Sequence, residues 1–198
     1  MKTYLTIKDE ALNHLKKDEA MKELIERVGL IKRESNKDLF SSLVSSIIAQ
    51  LISTKAANTI KGRLLEKVSL TPEAIYNLED EELRSIGISL KKAQAIKEIS
   101  RQVLTGELLL EGLSLLSDEE LKERLVKLPS VGPWTAEMLM IFSLERENVL
   151  SGLDLGIRRG IERLYQREAT KEFISELKEI YAPYGTTASI YLWHLAGE

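Results

Sequence analysis

Apolar residues recur three or four positions apart along most of the chain: Leu39, Leu43, Ile47 and Leu51; Ala93, Ile96, Val103 and Leu104; Met138, Ile141 and Phe142; Phe173, Leu177 and Ile180. That spacing gathers each set on one face of a helix, and no stretch alternates with the period of two that a half-buried strand requires. Helix starts carry their own marks. "TPEA" at 71, "SDEE" at 117 and "TKEF" at 170 each set a hydroxyl ahead of N–H groups that lack a helical partner, and Glu120 follows Ser117 at the spacing of a reciprocal capping box. The pattern predicts an all-α chain of about ten short helices. Residues 79–96 (EDEELRSIGISLKKAQAI) are echoed by 117–138 (SDEELKERLVKLPSVGPWTAEM), which predicts two helix–hairpin–helix units, the second with the tighter turn.

That second turn, "LPSVGPWTAEML" at 128–139, holds Pro129, Gly132 and Pro133 and sets Trp134 at the start of a helix. The first N–H groups of a helix have no internal acceptor, glycine permits close approach, and proline at the first helical position loses no needed donor. With the positive end of the helix dipole, such a turn can hold a phosphate without lysine or arginine. A plain helix–helix connection uses the same residues, so spacing leaves both readings open.

Composition narrows the chemistry. The 198 residues include no cysteine and two histidines, which excludes disulfides and cysteine-ligated zinc or iron–sulfur centres and argues against a histidine metal site. Catalysis must rest on carboxylates, hydroxyls, lysines or backbone groups. No apolar run nears the ~18–20 residues of a membrane span, and no signal-peptide pattern opens the chain, so the expectation is a soluble, cytoplasmic protein. A net charge of −3 argues against a nucleic-acid partner. The clusters Arg158, Arg159, Arg163, Arg167 and Lys91, Lys92, Lys97, Arg101 leave either solvated faces or basic patches possible.

Four segments in order, "LVSSIIAQLISTKAA", "LPSVGPWTAEMLMIF", "VLSGLDLGIRRGI" and "YAPYGTTASIYLWHL", resemble the helix–hairpin–helix (HhH-GPD) DNA glycosylase superfamily, and within it the 3-methyladenine DNA glycosylase II type. The resemblance spans about residues 39 to 195. It implies two helical lobes with DNA bound across a cleft: a central lobe of 39–146 containing the hairpin, and a second lobe of 1–38 with 147–198 carrying the catalytic aspartate. Without an N-terminal β-rich domain, this would be a minimal version. The implied activity is base excision repair, by hydrolysis of the N-glycosidic bond of alkylated purines to leave an abasic site. The implied partner is double-stranded DNA carrying damaged bases, bound by a monomer that associates with the nucleoid.

The resemblance assigns the catalytic carboxylate to Asp154, the base pocket to Trp134, Trp193 and Met138, and the group entering the vacated duplex to Leu51 with Gln50 beside it. Ser130, Val131, Gly132 and Thr135 would meet the DNA backbone. Residue by residue the alternatives stand: Asp154 as a helix N-cap, the tryptophans and Met138 as core, Leu51 as the end of the Leu39, Leu43, Ile47 stripe. Electron-rich indole would favour a cationic alkylated base by about 0.5–2 kcal/mol over a neutral one. In relatives that form a Schiff base, a lysine occupies the position of Trp134, so the resemblance implies a glycosylase without lyase activity. It implies no organic cofactor, and a monovalent cation (Na or K) held by the carbonyls of Val126, Leu128 and Val131.

Three departures qualify the match. Ser130 replaces the first hairpin glycine, Leu153 stands where many relatives have an acid, and Gly185 where an arginine or similar residue is common. Two alternatives accompany this reading: a non-catalytic module that binds damaged DNA through the same hairpin, and a glycosylase for oxidised or deaminated bases.

Overall fold

Side-chain caps begin the helices where the sequence marks them. Thr71 accepts the N–H of Ala74, Thr170 accepts that of Phe173, both at 3.2 Å, and Ser117 with Glu120 forms the reciprocal box. The computed structural model describes residues 3–197. Among these the α-helices are α1 (Asp9–Leu15), α2 (Glu19–Val28), α3 (Leu39–Ala49), α4 (Thr54–Lys67), α5 (Pro72–Tyr76), α6 (Asp80–Ser85), α7 (Leu90–Leu104), α8 (Asp118–Leu125), α9 (Pro133–Phe142), α10 (Leu155–Tyr165), α11 (Lys171–Tyr181) and α12 (Gly185–Gly197). One 3-10 turn covers Glu111–Leu115. Among the described residues the chain is all-α but for an antiparallel pair of two-residue strands, β1 (Thr3–Tyr4) and β2 (Glu34–Ser35), too short for alternation to register in sequence.

The chain forms two compact units, Lys37–Leu139 and the paired termini Met1–Asn36 with Met140–Glu198. The second break falls inside α9, whereas the sequence expectation drew the boundaries after residues 38 and 146.

In the unit of residues 37–139, α7 packs against α3, α5 and α6, and α3 against α4. Leu43, Ile47, Leu64, Ile75, Leu83, Ile96 and Leu121 are fully buried, each leucine or isoleucine contributing about 1.5–3 kcal/mol of transfer free energy. The internal echo is structural: α6 turns into α7 through Gly87 at φ +106°, and α8 into α9 through Ser130 at φ +61°.

In the terminal unit α12 is the central rod, buried along Gly185–Leu192 and flanked by α1, α2, α10 and α11. A Cβ on Gly160 would lie 2.2 Å from the carbonyl oxygen of Leu192, so α10 and α12 meet backbone to backbone. Leu15, Met21, Ile157, Ile161, Phe173, Leu177 and Tyr191 fill the core around them. The phenols of Tyr165 and Tyr181 hydrogen-bond to each other, and burial pushes both well above the usual tyrosine range. No helix among the described residues is long and apolar enough to cross a membrane.

Candidate active site and DNA-binding hairpin

The hairpin between α8 and α9 is locked by an ion pair across it. Lys122 on α8 donates to Glu137 on α9 at 2.5 Å, and the Glu137 side chain is almost wholly buried. Within the turn, the N–H of Leu128 reaches the Leu125 carbonyl and that of Val131 the Leu128 carbonyl, both at 3.1 Å. Two features of the turn bear on how it could meet DNA. The left-handed residue is Ser130 rather than Gly132, so the departure from the family glycine falls on the position that needs one. Val131, buried and with its N–H taken inside the turn, has no N–H to offer a phosphate.

Gly132 is exposed, and a Cβ there would meet nothing within 4 Å, leaving its backbone open to approach. The Thr135 side chain is buried, which limits it to a backbone contact. Among the described residues no backbone carbonyl accepts the N–H of Gly132 or Thr135. Trp134 is 44% exposed at the start of α9, and Met138, one turn on, is half-buried.

The α3–α4 connection adjoins this turn. Gln50 donates through Nε2 to the Ser130 carbonyl at 2.7 Å. Leu51 is fully exposed and has φ +59°, so it does not end the core stripe of Leu39, Leu43 and Ile47. Gln50, Leu51, Lys92, Ser130, Val131 and Gly132 line one recess.

Asp154 lies in the terminal unit. Its N–H donates to the Ser151 carbonyl at 3.3 Å, closing a turn that presents the side chain at the start of α10. Oδ1 accepts two bonds, from the N–H of Ile157 at 2.9 Å and from Nε1 of Trp193 at 2.8 Å. The helix-capping reading is therefore correct for Asp154, and the Trp193 bond is added to it. Asp154 as a whole is 8% exposed, between two exposed leucines, Leu153 and Leu155. Polar groups of α12 hold the strand of chain that leads there: Thr186 Oγ1 donates to the Arg146 carbonyl at 2.5 Å and accepts the Val149 N–H at 3.1 Å, and Ser189 donates to the Val149 carbonyl at 2.8 Å. Gly185, at the position where the family commonly has an arginine or similar polar residue, is buried against Asn148, and a Cβ would lie 3.1 Å from that residue's Oδ1.

Sequence reasoning missed two partners of Trp193. Phe142 stacks on its indole with centroids 5.5 Å apart and planes 26° from parallel. The Arg33 guanidinium lies 5.5 Å from the Trp193 centroid and 5.7 Å from that of Phe142. A signal for Phe142 existed, because residues 134, 138 and 142 recur every four positions on α9. Arg33 is brought in by tertiary structure alone. The structure thus joins Asp154 to Trp193, and Gln50 and Leu51 to the hairpin; Trp134 and Met138 belong to the hairpin's unit.

Most of the basic residues that looked like candidate patches are engaged. Lys97 faces Asp80 at 3.1 Å, Arg101 bridges Glu98 and Glu107, Arg163 donates to the Leu195 carbonyl at 2.6 Å, and Arg167 covers the Phe173 ring at 4.1 Å. The Arg101 clamp, helped by Gln102, lowers the Glu98 carboxyl to about 2. Among the described residues no group of three or more acidic or histidine side chains could hold a metal.

A carboxylate braced by an indole N–H lies in one unit and a hairpin with an exposed turn in the other, and comparison with known proteins gives the class to which this helical chain belongs. The profile of HhH-GPD superfamily base excision DNA repair proteins matches residues 44–183. Over 187 residues the chain is 35% identical to DNA-3-methyladenine glycosylase 1 of Schizosaccharomyces pombe, covering 89% of this chain and 82% of that protein. The crystal structure of a DNA-3-methyladenine glycosidase from Bacillus halodurans superposes with a TM-score of 0.88 at 35% identity, covering 98% of this chain and 93% of that one. An S. pombe 3-methyladenine DNA glycosylase in complex with abasic DNA gives 0.80 at 34% identity, with 93% and 95% covered. The chain belongs to the HhH-GPD superfamily of base excision DNA repair proteins.

Proposed function

We propose that this protein is a monofunctional DNA glycosylase that excises alkylated purines from double-stranded DNA, with Asp154 as its catalytic carboxylate. The observation that carries the proposal is the bond from Trp193 Nε1 to Asp154 Oδ1, which fixes an acid against an aromatic shelf. Breaking the bond from C1′ to the purine nitrogen sends its electron pair to the base and leaves an oxocarbenium-like sugar. A carboxylate stabilises that cation and takes a proton as water adds to C1′. Purines alkylated at N3 or N7 already carry positive charge, so they leave without a general acid. The Arg33 guanidinium, a planar cation, already lies against Trp193 and Phe142, the environment that a cationic purine would meet. Leu153 and Leu155 would be covered as DNA docks, drying the surroundings of the reaction.

In this reading the base must leave the duplex, at a cost of a few kcal/mol, and Leu51 fills the gap while Gln50 stays anchored to the hairpin. The backbone of Gly132 and Thr135, with Ser130, grips a phosphate, and Trp134 and Met138 are the base-contacting side chains of the hairpin's unit. The Val126 and Leu128 carbonyls near the end of α8, with that of Val131, are a neutral oxygen set that suits Na or K. Such an ion would add positive charge near a phosphate; no organic cofactor is invoked. The 3-methyladenine names of the relatives support the substrate class. The absence of lysine from α9, with Trp134 at the family's lysine position, supports hydrolysis without strand cleavage.

The test is release of free base from methylated duplex DNA. Asp154→Asn is expected to lower the single-turnover rate by about 10²–10³-fold or more while leaving abasic-duplex affinity within a few-fold of wild type. Undiminished release by the variant would refute the assignment. Borohydride added during turnover should trap no covalent protein–DNA adduct; a trapped adduct would instead establish a lyase.

A further inference from the structure

Lysine at the first turn of a helix is misplaced by ordinary rules, because the positive end of the helix dipole repels it. Lys92 occupies such a place on α7, a helix with no acid in its first turn. Its ammonium is half-buried and donates to two carbonyls at the end of α3, Ile48 at 2.8 Å and Gln50 at 2.7 Å. Burial pushes its pKa below the usual lysine value, so the placement has an energetic cost. The offset lies at α3, whose last carbonyls lack helical donors and carry the negative end of that dipole.

The residue held there is the one preceding Leu51. Gln50 receives Lys92 on its backbone oxygen and gives its side-chain amide to Ser130, so it links α7, the end of α3 and the hairpin. Leu51 follows at once, left-handed and with its side chain entirely in solvent. Such a conformation costs about 1–2 kcal/mol and persists where neighbouring bonds enforce it. The backbone bonds flanking it are long, Gln50 N–H to Ile47 at 3.4 Å and Ile52 N–H to Ala49 at 3.5 Å, and supply little of that constraint.

We infer that Lys92 is a positioning residue for base extrusion: its ammonium clamps the end of α3 so that Leu51 is already presented before DNA arrives. The inference rests on reading Leu51 as the wedge. Lys92 touches neither substrate nor the reacting atoms in this role; it lowers the ordering cost of insertion.

The experiment uses a duplex with a tetrahydrofuran abasic analogue opposite 2-aminopurine, whose fluorescence rises when Leu51 unstacks it. Wild-type protein at saturation should give the full change and Leu51→Ala almost none. Lys92→Met, which keeps the stem and removes the donors, is expected to reduce the amplitude at least three-fold at saturation. Lys92→Arg, which keeps charge and donors, should retain at least half. In the Leu51→Ala background Lys92→Met should cause no further loss, whereas a merely structural role would lower affinity and melting temperature in both backgrounds. Full amplitude in the methionine variant, or an arginine variant as impaired as methionine's, overturns the inference, and the arginine result decides if the methionine variant fails to fold. So does a wild-type signal no larger than that of Leu51→Ala. Base release from methylated duplex is measured in parallel: a protein that unstacks 2-aminopurine but frees no base would sink the glycosylase reading and leave this one standing.

Discussion

A methyl group on Gly156 would lie 2.8 Å from Cδ1 of Trp193 and 3.1 Å from Oδ1 of Asp154, so the pairing of acid and indole depends on the absence of a side chain two residues after the acid. Gly156→Ala should still fold, because the obstacle is a side chain that can swing aside and alanine gains about 1 kcal/mol of helix propensity. The indole would lose its bond to the carboxylate. We expect single-turnover base release to fall about 10- to 100-fold, the scale of a misplacement near one ångström, with the melting temperature changed by a few degrees. A wild-type rate would mean that the Trp193 orientation is dispensable. Asp154 and Trp193 were individually legible, since each sits in a segment with the family's order. Their direct bond, and the arrival of Phe142 and Arg33 on the same indole, were not, because residues 33, 142, 154 and 193 are joined only by folding.

For elements, caps were legible and helix faces less so. Thr71, Ser117 and Thr170 cap as their local sequence dictates, because capping is settled within four residues. The apolar stripes erred in which residues share the buried face: on α7 Ile99 is buried and Leu104 exposed, and on α11 Tyr181 is buried rather than its neighbour Ile180. Spacings of three and four both fit a helix, and only the neighbouring helix chooses between them. The hairpin shows a similar limit. Glycine in the sequence drew attention to Gly132, yet the turn puts Ser130 in the left-handed region. A serine there costs about 1–2 kcal/mol, and glycine returns about 0.5–1 of that through the freer unfolded chain. Ser130→Gly should therefore stabilise the protein by roughly 0.5–1 kcal/mol and raise the melting temperature by about 1–4 °C, since the bond from Gln50 is to the backbone oxygen and survives. An unchanged or lower melting temperature would show that the serine hydroxyl compensates for its backbone.

The whole molecule carries a net charge of −3, and some of its cations are paired with acids of its own. Lys8 pairs with Glu147, Lys16 with Glu26, Lys22 with Glu19, Lys67 with Glu82, Lys97 with Asp80, Arg101 with Glu98 and Glu107, and Lys122 with Glu137. Apart from Lys122–Glu137, whose acid is buried, pairs as open to solvent as these contribute little to stability, but they constrain binding: a cation recruited to a phosphate would leave its acid facing the same DNA. Attraction would then depend on those basic side chains outside the pairs that reach a phosphate, and on backbone donors at the start of α9, which act at short range. Counterion release scales with the number of phosphates neutralised, at about 0.9 per phosphate on the logarithmic salt slope. With about four phosphates or fewer, raising salt from 50 to 200 mM should weaken abasic-duplex binding by roughly 100-fold or less, against about 10³–10⁵ for a protein making six to ten such contacts. Fluorescence anisotropy across that range measures the slope directly. A loss of about 10⁴ or more would mean that the internal ion pairs open on DNA and that hairpin and dipole are secondary to released lysines and arginines.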